Sequence, residues 1–354
     1  MPFSTNMSVS ENFQILYNCI IVYFTTLYDI LAKQIHNSLH IYKKSGIFYE
    51  PSMSLETNES EISQNIKLVS FNIDDLACHS PKYGKNSLAR ATKIINYLES
   101  INADIICLQE IWSETMKQEI SDAFLAKNYY VALPHWRKNY IFGENSGLIT
   151  ISKYPIITQT FLPFNNPRGI CRLFNKGVQY CHIRVPNSNP DTSIELNIAN
   201  THLQASFTKY SSYLNFQETA KKQLTTIINE CPYESCLLIG DLNLKKENLD
   251  EFINNESKIQ YFGENSEITY PECNNRLDYT LKITKLANKQ SITQNITNKT
   301  ESHIDLSDHF PIISEFSLKS SLSPSPSPPS PPPPSPSSSP SSSSPSSSSR
   351  RTSP

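Results

Sequence analysis

The sequence predicts an α/β fold of four layers, an αββα sandwich of two mixed β-sheets flanked by helices. Three observations lead there. About nine short β-type runs recur along the chain, stretches of helical periodicity separate several of them, and some runs are apolar without any alternation. Cys236-Leu237-Leu238-Ile239 is the plainest of these. So many strands exceed what a simple doubly wound sheet with three or four helices would use. Strands apolar on both sides need cover on both faces, and two stacked sheets with helices outside provide it.

Each element has its own signal. Residues 66–71 and 104–108 are short β-type runs bounded by polar residues. Between them Leu88, Ala91, Ile94, Ile95, Leu98 and Ile101 recur at helical spacing. Met116, Ile120 and Phe124 mark a second helix at i, i+4 and i+8. Residues 129–133, 148–152, 178–185 and 194–200 are the next strands, with Asn175-Lys176-Gly177 read as a hairpin turn. Leu224, Ile227 and Ile228 lie on a helix that ends near Glu230, ahead of the strand at 236–239. Strands at 277–283 and 312–318 complete the set.

Three regions follow from composition. Residues 66–318, about 250 residues, can bury one core of generous size. Residues 319–354 are almost entirely Ser and Pro and close on Arg350-Arg351-Thr352-Ser353-Pro354. Such a run has no apolar side chains to bury and cannot offset its ordering entropy, so it reads as a disordered tail. Residues 1–65 form an N-terminal extension whose segment 13–32 is rich in Ile, Leu, Tyr, Phe and Val. Gln14, Asn18 and Asp29 interrupt that segment, and no Lys or Arg precedes it. It reads equally as a membrane anchor, an uncleaved signal or a helix packed on the domain or a partner. With Asn-x-Ser/Thr sequons at Asn6, Asn58, Asn255, Asn295 and Asn298, this favours a membrane-associated or secreted setting over a cytoplasmic one.

A formal net charge of −2 and a pI of about 6.5 show no global basic field of the kind that advertises nucleic acid. The eight cysteines occur without CxxC pairs or a Cys/His zinc pattern, which argues against structural zinc. Cys107 lies inside an apolar run and reads as a small buried hydrophobe. Cys171 and Cys181 flank Asn175-Lys176-Gly177, where a disulfide and two reduced thiols are equally consistent.

Seven short strings carry the chemistry. In chain order they are Ser70-Phe71-Asn72-Ile73, Leu108-Gln109-Glu110, Asn145-Ser146-Gly147-Leu148, Thr201-His202-Leu203-Gln204, Gly240-Asp241-Leu242-Asn243, Arg276-Leu277-Asp278-Tyr279 and Ser307-Asp308-His309. Most follow or interrupt an apolar run, so their polar residues belong to strand ends and the loops just beyond. Asp241 and Asn243, two apart on extended chain, point the same way while Leu242 turns into the core. Glu110 ends a buried strand and needs a partner, since an unpaired buried charge is costly. That partner is a magnesium ion, which prefers few carboxylates plus water and phosphate, or an ordinary salt bridge. Two histidines at strand ends among carboxylates suit proton transfer near neutral pH.

The seven strings, in this order, resemble the endonuclease/exonuclease/phosphatase superfamily, the deoxyribonuclease-like αββα fold of magnesium-dependent phosphodiesterases and phosphatases. The resemblance covers roughly residues 66–318. Within it, Leu108-Gln109-Glu110-Ile111-Trp112-Ser113-Glu114, Asn145-Ser146-Gly147-Leu148, Asn175-Lys176-Gly177-Val178 and Asn200-Thr201-His202-Leu203-Gln204-Ala205 are most similar to the neutral sphingomyelinase branch. The resemblance implies Glu110 as the principal Mg2+ ligand, supported by Asn72, with Mn2+ as the alternative ion. It implies Asp241 and Asn243 as the residues that orient phosphate and attacking water. His309 would be the general base, Asp308 would help fix the site around it, and Asp278 would orient its neighbours. His202 would stabilise the phosphate or protonate the leaving group, and the division of acid and base work between the histidines stays open.

The function implied is a phosphoric ester hydrolase acting by direct water attack, with a phospholipid such as sphingomyelin as substrate and a membrane surface as partner. A DNA or RNA endonuclease of the same fold is the rival, with Arg137, Lys138, Arg168, Arg172 and Lys176 as its candidate basic groove. An inositol phosphate phosphatase and a catalytically silent membrane-tethered binding protein are the further alternatives. Two departures from the sphingomyelinase pattern bear on substrate. The chain has only Trp112 and Trp136, with no adjacent aromatic pair late in the domain comparable to the exposed aromatic hairpin of bacterial-type secreted sphingomyelinases, and Asn145 stands where sphingomyelinase relatives often have histidine.

Overall fold

The computed structural model describes residues 47–49, 65–75, 87–134, 146–168, 171, 174–186, 193–205, 212–263, 267–285, 293–301 and 306–318. The apolar segment 13–32, the Ser/Pro tail 319–354, Trp136, Arg137, Lys138, Asn145 and Arg172 lie outside the described residues. Two sheets contain all the strands among the described residues. The first has seven, in the spatial order β1 (Ile47–Tyr49), β4 (Tyr130–Leu133), β5 (Ile149–Ser152), β3 (Ile105–Gln109), β2 (Asn65–Asn72), β13 (Ile312–Leu318) and β12 (Thr293–Thr300). The second has six, in the order β10 (Ile259–Tyr261), β11 (Asp278–Thr284), β9 (Ser235–Asp241), β8 (Ser193–His202), β7 (Gly177–Pro186) and β6 (Ile156–Pro163). Both are mixed: β2 runs parallel to β3 and β8 parallel to β9, while the other pairs are antiparallel.

Three apolar cores separate four layers, which is the predicted αββα arrangement. Helices α1 (Ser87–Ile101) and α2 (Glu114–Leu125) place Ile94, Leu98, Met116, Ile120 and Phe124 against Val69, Phe71, Ile106 and Leu108 of the seven-stranded sheet. Helices α3 (Ser212–Glu230) and α4 (Lys246–Asn255) place Leu224, Ile227, Ile228 and Leu249 against Val178, Tyr180, Leu238 and Leu281 of the other. Between the sheets lie Ile66, Leu68, Ile105 and Cys107 from one side and Ile183, Leu196, Ile198, Leu237 and Ile239 from the other. Strand parity makes the division: in β3, Ile105 and Cys107 face the inter-sheet core while Ile106 and Leu108 face the helices. This two-sided burial is why the central strands read as unbroken apolar runs.

The nine strands predicted from sequence correspond to the nine interior strands. All four that the patterning missed, β1, β6, β10 and β12, sit at sheet edges. An edge strand packs fewer neighbours and tolerates polar composition, so Thr293–Thr300 reads as Thr-Gln-Asn-Ile-Thr-Asn-Lys-Thr. Helix α4 was missed as well, because Leu249 is its one fully buried residue. Asn175-Lys176-Gly177 is not a tight hairpin turn. Pro163 pairs with Gly177, so the loop between β6 and β7 spans the residues between them, and Lys176 sits at its return where its carbonyl accepts from Phe164 N. Cys171 and Cys181 are free thiols, and Cys107 is buried with its thiol pushed up by burial. Among the described residues no helix is long and apolar enough to cross a membrane.

Gly240 is needed where β8 and β9 meet. Its φ is 136°, and a Cβ there would lie 2.0 Å from the Thr201 carbonyl oxygen of the neighbouring strand. Gly240→Ala is therefore expected to lower unfolding stability by at least about 2 kcal/mol, through backbone strain and overpacking. Denaturant unfolding checks this, and a variant as stable as the parent would show that the two strands can part without cost.

Candidate active site

Strand register assembles the site. On the inter-sheet faces the apolar core gives way to a polar belt, and the belt gives way to a row of ionisable groups. In the belt, Gln109 Nε2 donates to Asn200 Oδ1 at 2.9 Å, and Asn200 Nδ2 donates to the Leu108 and Ile149 carbonyls at 3.2 and 3.0 Å. These bonds run from one sheet to the other and lock their relative position. One step further along the same faces, His202 is the register partner of Asp241, and Asp241 is the register partner of Asp278. Three neighbouring strand ends thus deliver a histidine and two carboxylates side by side. Asn72 ends β2 in the facing sheet, and Glu110 follows β3 directly.

Asn72 joins the two sheets at this level. Its Nδ2 donates to Glu110 Oε1 at 3.1 Å and to Asp241 Oδ2 at 3.0 Å, and its Oδ1 accepts from Asp74 N at 3.0 Å. Glu110 adopts a left-handed backbone (φ 59°) as the chain leaves β3, which turns its carboxylate back toward the strand ends. Burial opposes ionisation of Glu110, yet His202, Lys176, the Asn72 amide and His309 outweigh it and hold its pKa down at about 2. Burial and Lys176 push the His202 pKa well down, so Lys176, the Asn72 amide and His309 are the standing contributors. Asp241 also accepts from Asn243 N at 2.8 Å, an Asx turn that places Asn243 (φ 51°) over Leu203 with Nδ2 3.4 Å from its carbonyl. Leu242 between them is fully buried, as the period-two reading requires.

The two histidines have opposite surroundings. His309 Nδ1 pairs with Asp278 Oδ2 at 2.7 Å, and its Nε2 lies 3.8 Å from Asp241 Oδ2. Burial would keep this imidazole neutral, but Asp278, Asp241 and Asp308 outweigh it and push the pKa well up. The partner of His309 is therefore Asp278, from another strand, and not the adjacent Asp308. Asp308 instead accepts from Ser307 Oγ at 3.3 Å, while Ser307 also bonds the Asn72 carbonyl at 2.7 Å and receives His309 N at 3.1 Å. His202 Nε2 lies 2.8 Å from Lys176 Nζ and 3.5 Å from both Glu110 Oε1 and Asp241 Oδ2. Its pKa is pushed well down, by burial first and then by Lys176.

Side-chain contacts join Asn72, Glu110, His202, Asp241, Asp278 and His309, while Asp308 is tied to them through Ser307 and Asn243 through its backbone N–H to Asp241. Three further residues joined this cluster without being singled out as site groups in the sequence. Asp74, buried with φ 45°, has its carboxyl pushed up by burial and then by Asp308 and Glu110. Strand spacing gave no signal for it, since β2 ends at Asn72 and the chain turns left-handed at Asp74, with Asp74 N bonded to Asn72 Oδ1. Trp112 Nε1 donates to Glu110 Oε2 at 3.3 Å, its ring packs on Phe174 at 4.4 Å, and a Cβ at Gly147 would strike that ring at 2.8 Å. Arg90 from α1 reaches the carbonyls of Ile73, Asp74 and Leu306, and so holds the loops that carry Asp74 and His309.

The donor set fits a hard divalent cation. One ligand atom each from Glu110, His202 and Asp241 lies within 4.8 Å of the others, and the same holds for Asp241, Asp278 and His309. Asp74 Oδ2 is buried with no hydrogen-bond partner among the described residues, and Asp241 is pushed up by burial and then by Asp278. Carboxylates gathered so tightly away from water call for a compensating positive charge.

The sequence matches the Endonuclease/Exonuclease/phosphatase family over residues 69–309. The chain belongs to that family. Members are phosphoester hydrolases, and the four-layer fold and convergent strand ends agree with the match. A sphingomyelinase of Dictyostelium discoideum is 33% identical over 116 residues, 29% of this chain and 24% of that protein. An uncharacterized protein of the same organism is 29% identical over 175 residues, 44% of this chain and 15% of that one. The chain thus spans under a quarter of the length of these curated relatives. Among solved structures, SmcL has a TM-score of 0.56 at 20% identity, covering 72% of this chain and 99% of its own. A Staphylococcus aureus beta toxin variant with bound magnesium ions has 0.55 at 20%, covering 71% and 99%. TDP2 from D. rerio, complexed with a single-strand DNA product, has 0.52 at 14%, covering 72% and 99%. These likenesses establish the fold.

Asp278→Asn keeps the shape of the His309 partner and removes its charge. It is expected to lower kcat on a simple phosphodiester by about 10²–10⁴-fold, with little change in Tm. Turnover at the parent rate in a folded variant would dissociate Asp278 from the chemistry.

Proposed function

We propose that this chain is a magnesium-dependent phosphodiesterase that hydrolyses its substrate by direct attack of water, with a sphingomyelin-type phospholipid as that substrate. The observation that carries the hydrolytic reading is the single buried cluster of Asn72, Glu110, His202, Asp241 and the Asp278–His309 pair. Glu110, supported by Asn72, would hold the ion, with Asp74 and Asp241 adjoining it. The ion, Mg2+ or Mn2+, would neutralise charge on the non-bridging phosphate oxygens. The lipid preference is supported by the likeness to a sphingomyelinase and by the strings shared with that branch.

The protein's own groups can do the rest. Asp241 and Asn243, held in one Asx turn, orient the phosphate and the attacking water. His309 holds or moves a proton at Nε2, because Nδ1 is committed to Asp278. A cation beside Glu110 and Asp241 would offset the carboxylates that now raise its pKa and draw it toward the neutral range. These roles require no seryl or cysteinyl nucleophile, and the Ser307 hydroxyl is committed to the Asn72 carbonyl, so single displacement with inversion at phosphorus is expected. In this reading residues 66–318 are the catalytic domain, residues 1–65 an extension with a membrane-facing segment, and residues 319–354 a tail outside the chemistry.

The test is phosphocholine release from sphingomyelin vesicles by the full chain with Mg2+, with EDTA, and by His309→Ala. Parallel reactions hold plasmid and abasic-site DNA. The expected result is metal-dependent release that His309→Ala reduces by about 10³-fold or more, its melting curve unchanged. Cleavage of DNA alone would keep the catalytic roles and overturn the lipid assignment. Removing residues 319–354 is expected to leave kcat within about twofold, since that tail has no apolar surface to contribute to a core. A larger fall would give the tail a part in turnover.

A further inference from the structure

Lys176 is a buried cation whose partners are unusual. It is 4% exposed, and its ammonium makes two hydrogen bonds: one to the Leu203 carbonyl at 2.8 Å and one to His202 Nε2 at 2.8 Å. An ammonium has only donors to offer. A lysine N–H can point at Nε2 only if that nitrogen presents its lone pair. The ring proton must then sit on Nδ1, which is buried and has no hydrogen-bond partner among the described residues.

The competing arrangement is visible in the same atoms. Glu110 Oε1 and Asp241 Oδ2 each lie 3.5 Å from Nε2, and a proton there would serve both carboxylates. A proton on Nε2 would face the ammonium at 2.8 Å, donor against donor. The shorter contact and the second anchor at Leu203 favour the ammonium. The backbone explains the anchoring: Lys176 closes the loop at the head of β7, Leu203 follows β8, and Val178 pairs with Thr201 between those strands.

We propose that Lys176 is a positioning residue that holds His202 as a neutral imidazole with its proton on Nδ1 and its Nε2 turned into an acceptor. His202 then cannot hand a proton from Nε2 to a leaving group in this state. Proton traffic falls to His309, whose Nε2 is free of the Asp278 bond, while the positive charge beside Glu110 and Asp241 belongs to Lys176. The two histidines are thereby given different work by different partners: a carboxylate for one, an ammonium for the other. This assignment rests on the reading of the cluster as a hydrolase site only for its consequence on turnover. The tautomer itself is independent of that reading.

The test is nitrogen-15 NMR of the full chain labelled at histidine, near neutral pH, with the His202 signals identified by their loss in His202→Gln. The parent protein is expected to show a neutral His202 ring protonated on Nδ1. Lys176→Met, which keeps length and removes every donor, is expected to move that proton to Nε2. Lys176→Arg, which keeps donors, is expected to retain the parent pattern at least in part. In the same variants kcat should fall about 10–100-fold for Lys176→Met, the usual effect of losing a partner that orients a site group, with a smaller change in KM. A His202 protonated on Nε2, or on both nitrogens, in the parent protein overturns the proposal, and that spectrum decides even if Lys176→Met does not fold. A folded Lys176→Met that keeps the Nδ1 pattern overturns it too. A proton moved as expected with unchanged kcat would overturn the positioning role. Absence of any hydrolysis, with the tautomer as expected, would count against the hydrolase reading and leave the tautomer assignment supported.

Discussion

The rest of the site depends on one side-chain amide. Asn72 spends both N–H groups on carboxylates from different sheets, Glu110 beside its own strand and Asp241 across the interface. Its side-chain oxygen holds the turn at Asp74, and its backbone oxygen receives Ser307, next to Asp308 and His309. Three of the other strings therefore converge on a single residue that is fully buried. A neutral amide suits this place better than a charge would, since it can bridge two acids without neutralising either. An apolar replacement would leave two buried carboxylates without their shared donor, and an unmet buried acceptor costs more than the bond it loses.

The cluster is electrostatically lopsided. Glu110, Asp74, Asp241, Asp278 and Asp308 crowd one end of the inter-sheet layer, and the opposing groups among the described residues nearby are Lys176, Arg90 and His309, whose pKa the acids push well up. Arg90 is spoken for by backbone carbonyls. The carboxyl pKa values of Asp74 and Asp241 are pushed up, by burial first and then by the neighbouring acids. Such a cluster is costly to fold around, and proteins keep costly buried charge where chemistry uses it. The two histidines show how environment assigns roles to identical residues. One is raised by carboxylates on either side, the other lowered by burial and an ammonium.

Precision at this end comes from the layer beneath it. The inter-sheet face changes from aliphatic at Ile105 and Leu237, to amide and hydroxyl at Gln109, Asn200, Thr280 and Ser314, to ionisable at Asp241 and His202. The amide belt is directional and tolerates little sliding between sheets, whereas the aliphatic part would permit it. A one-residue slip in β9 would turn Asp241 into the outer core and aim Leu242 at the site. Hydrophobic burial holds the sheets together, and the belt sets their register.

Much of this was legible in the sequence. The four layers, the nine interior strands and the helices at 88–101 and 116–124 follow from periodicity, because burial on both faces leaves a strong apolar record. The edge strands and α4 left no such record, since they bury little and so constrain composition little. The polar residues of the cluster stand out in the sequence because chemistry restricts residue type more tightly than packing does. What the chain order could not supply was pairing. That His309 leans on Asp278 and not on its neighbour Asp308, that Asp74 rejoins the cluster, and that Lys176 reaches His202 are all contacts between distant or turned segments. Side-chain identity and spacing determine which groups arrive at a strand end. Only the register of β8, β9 and β11, and the closure of two sheets on one another, decides which of them touch.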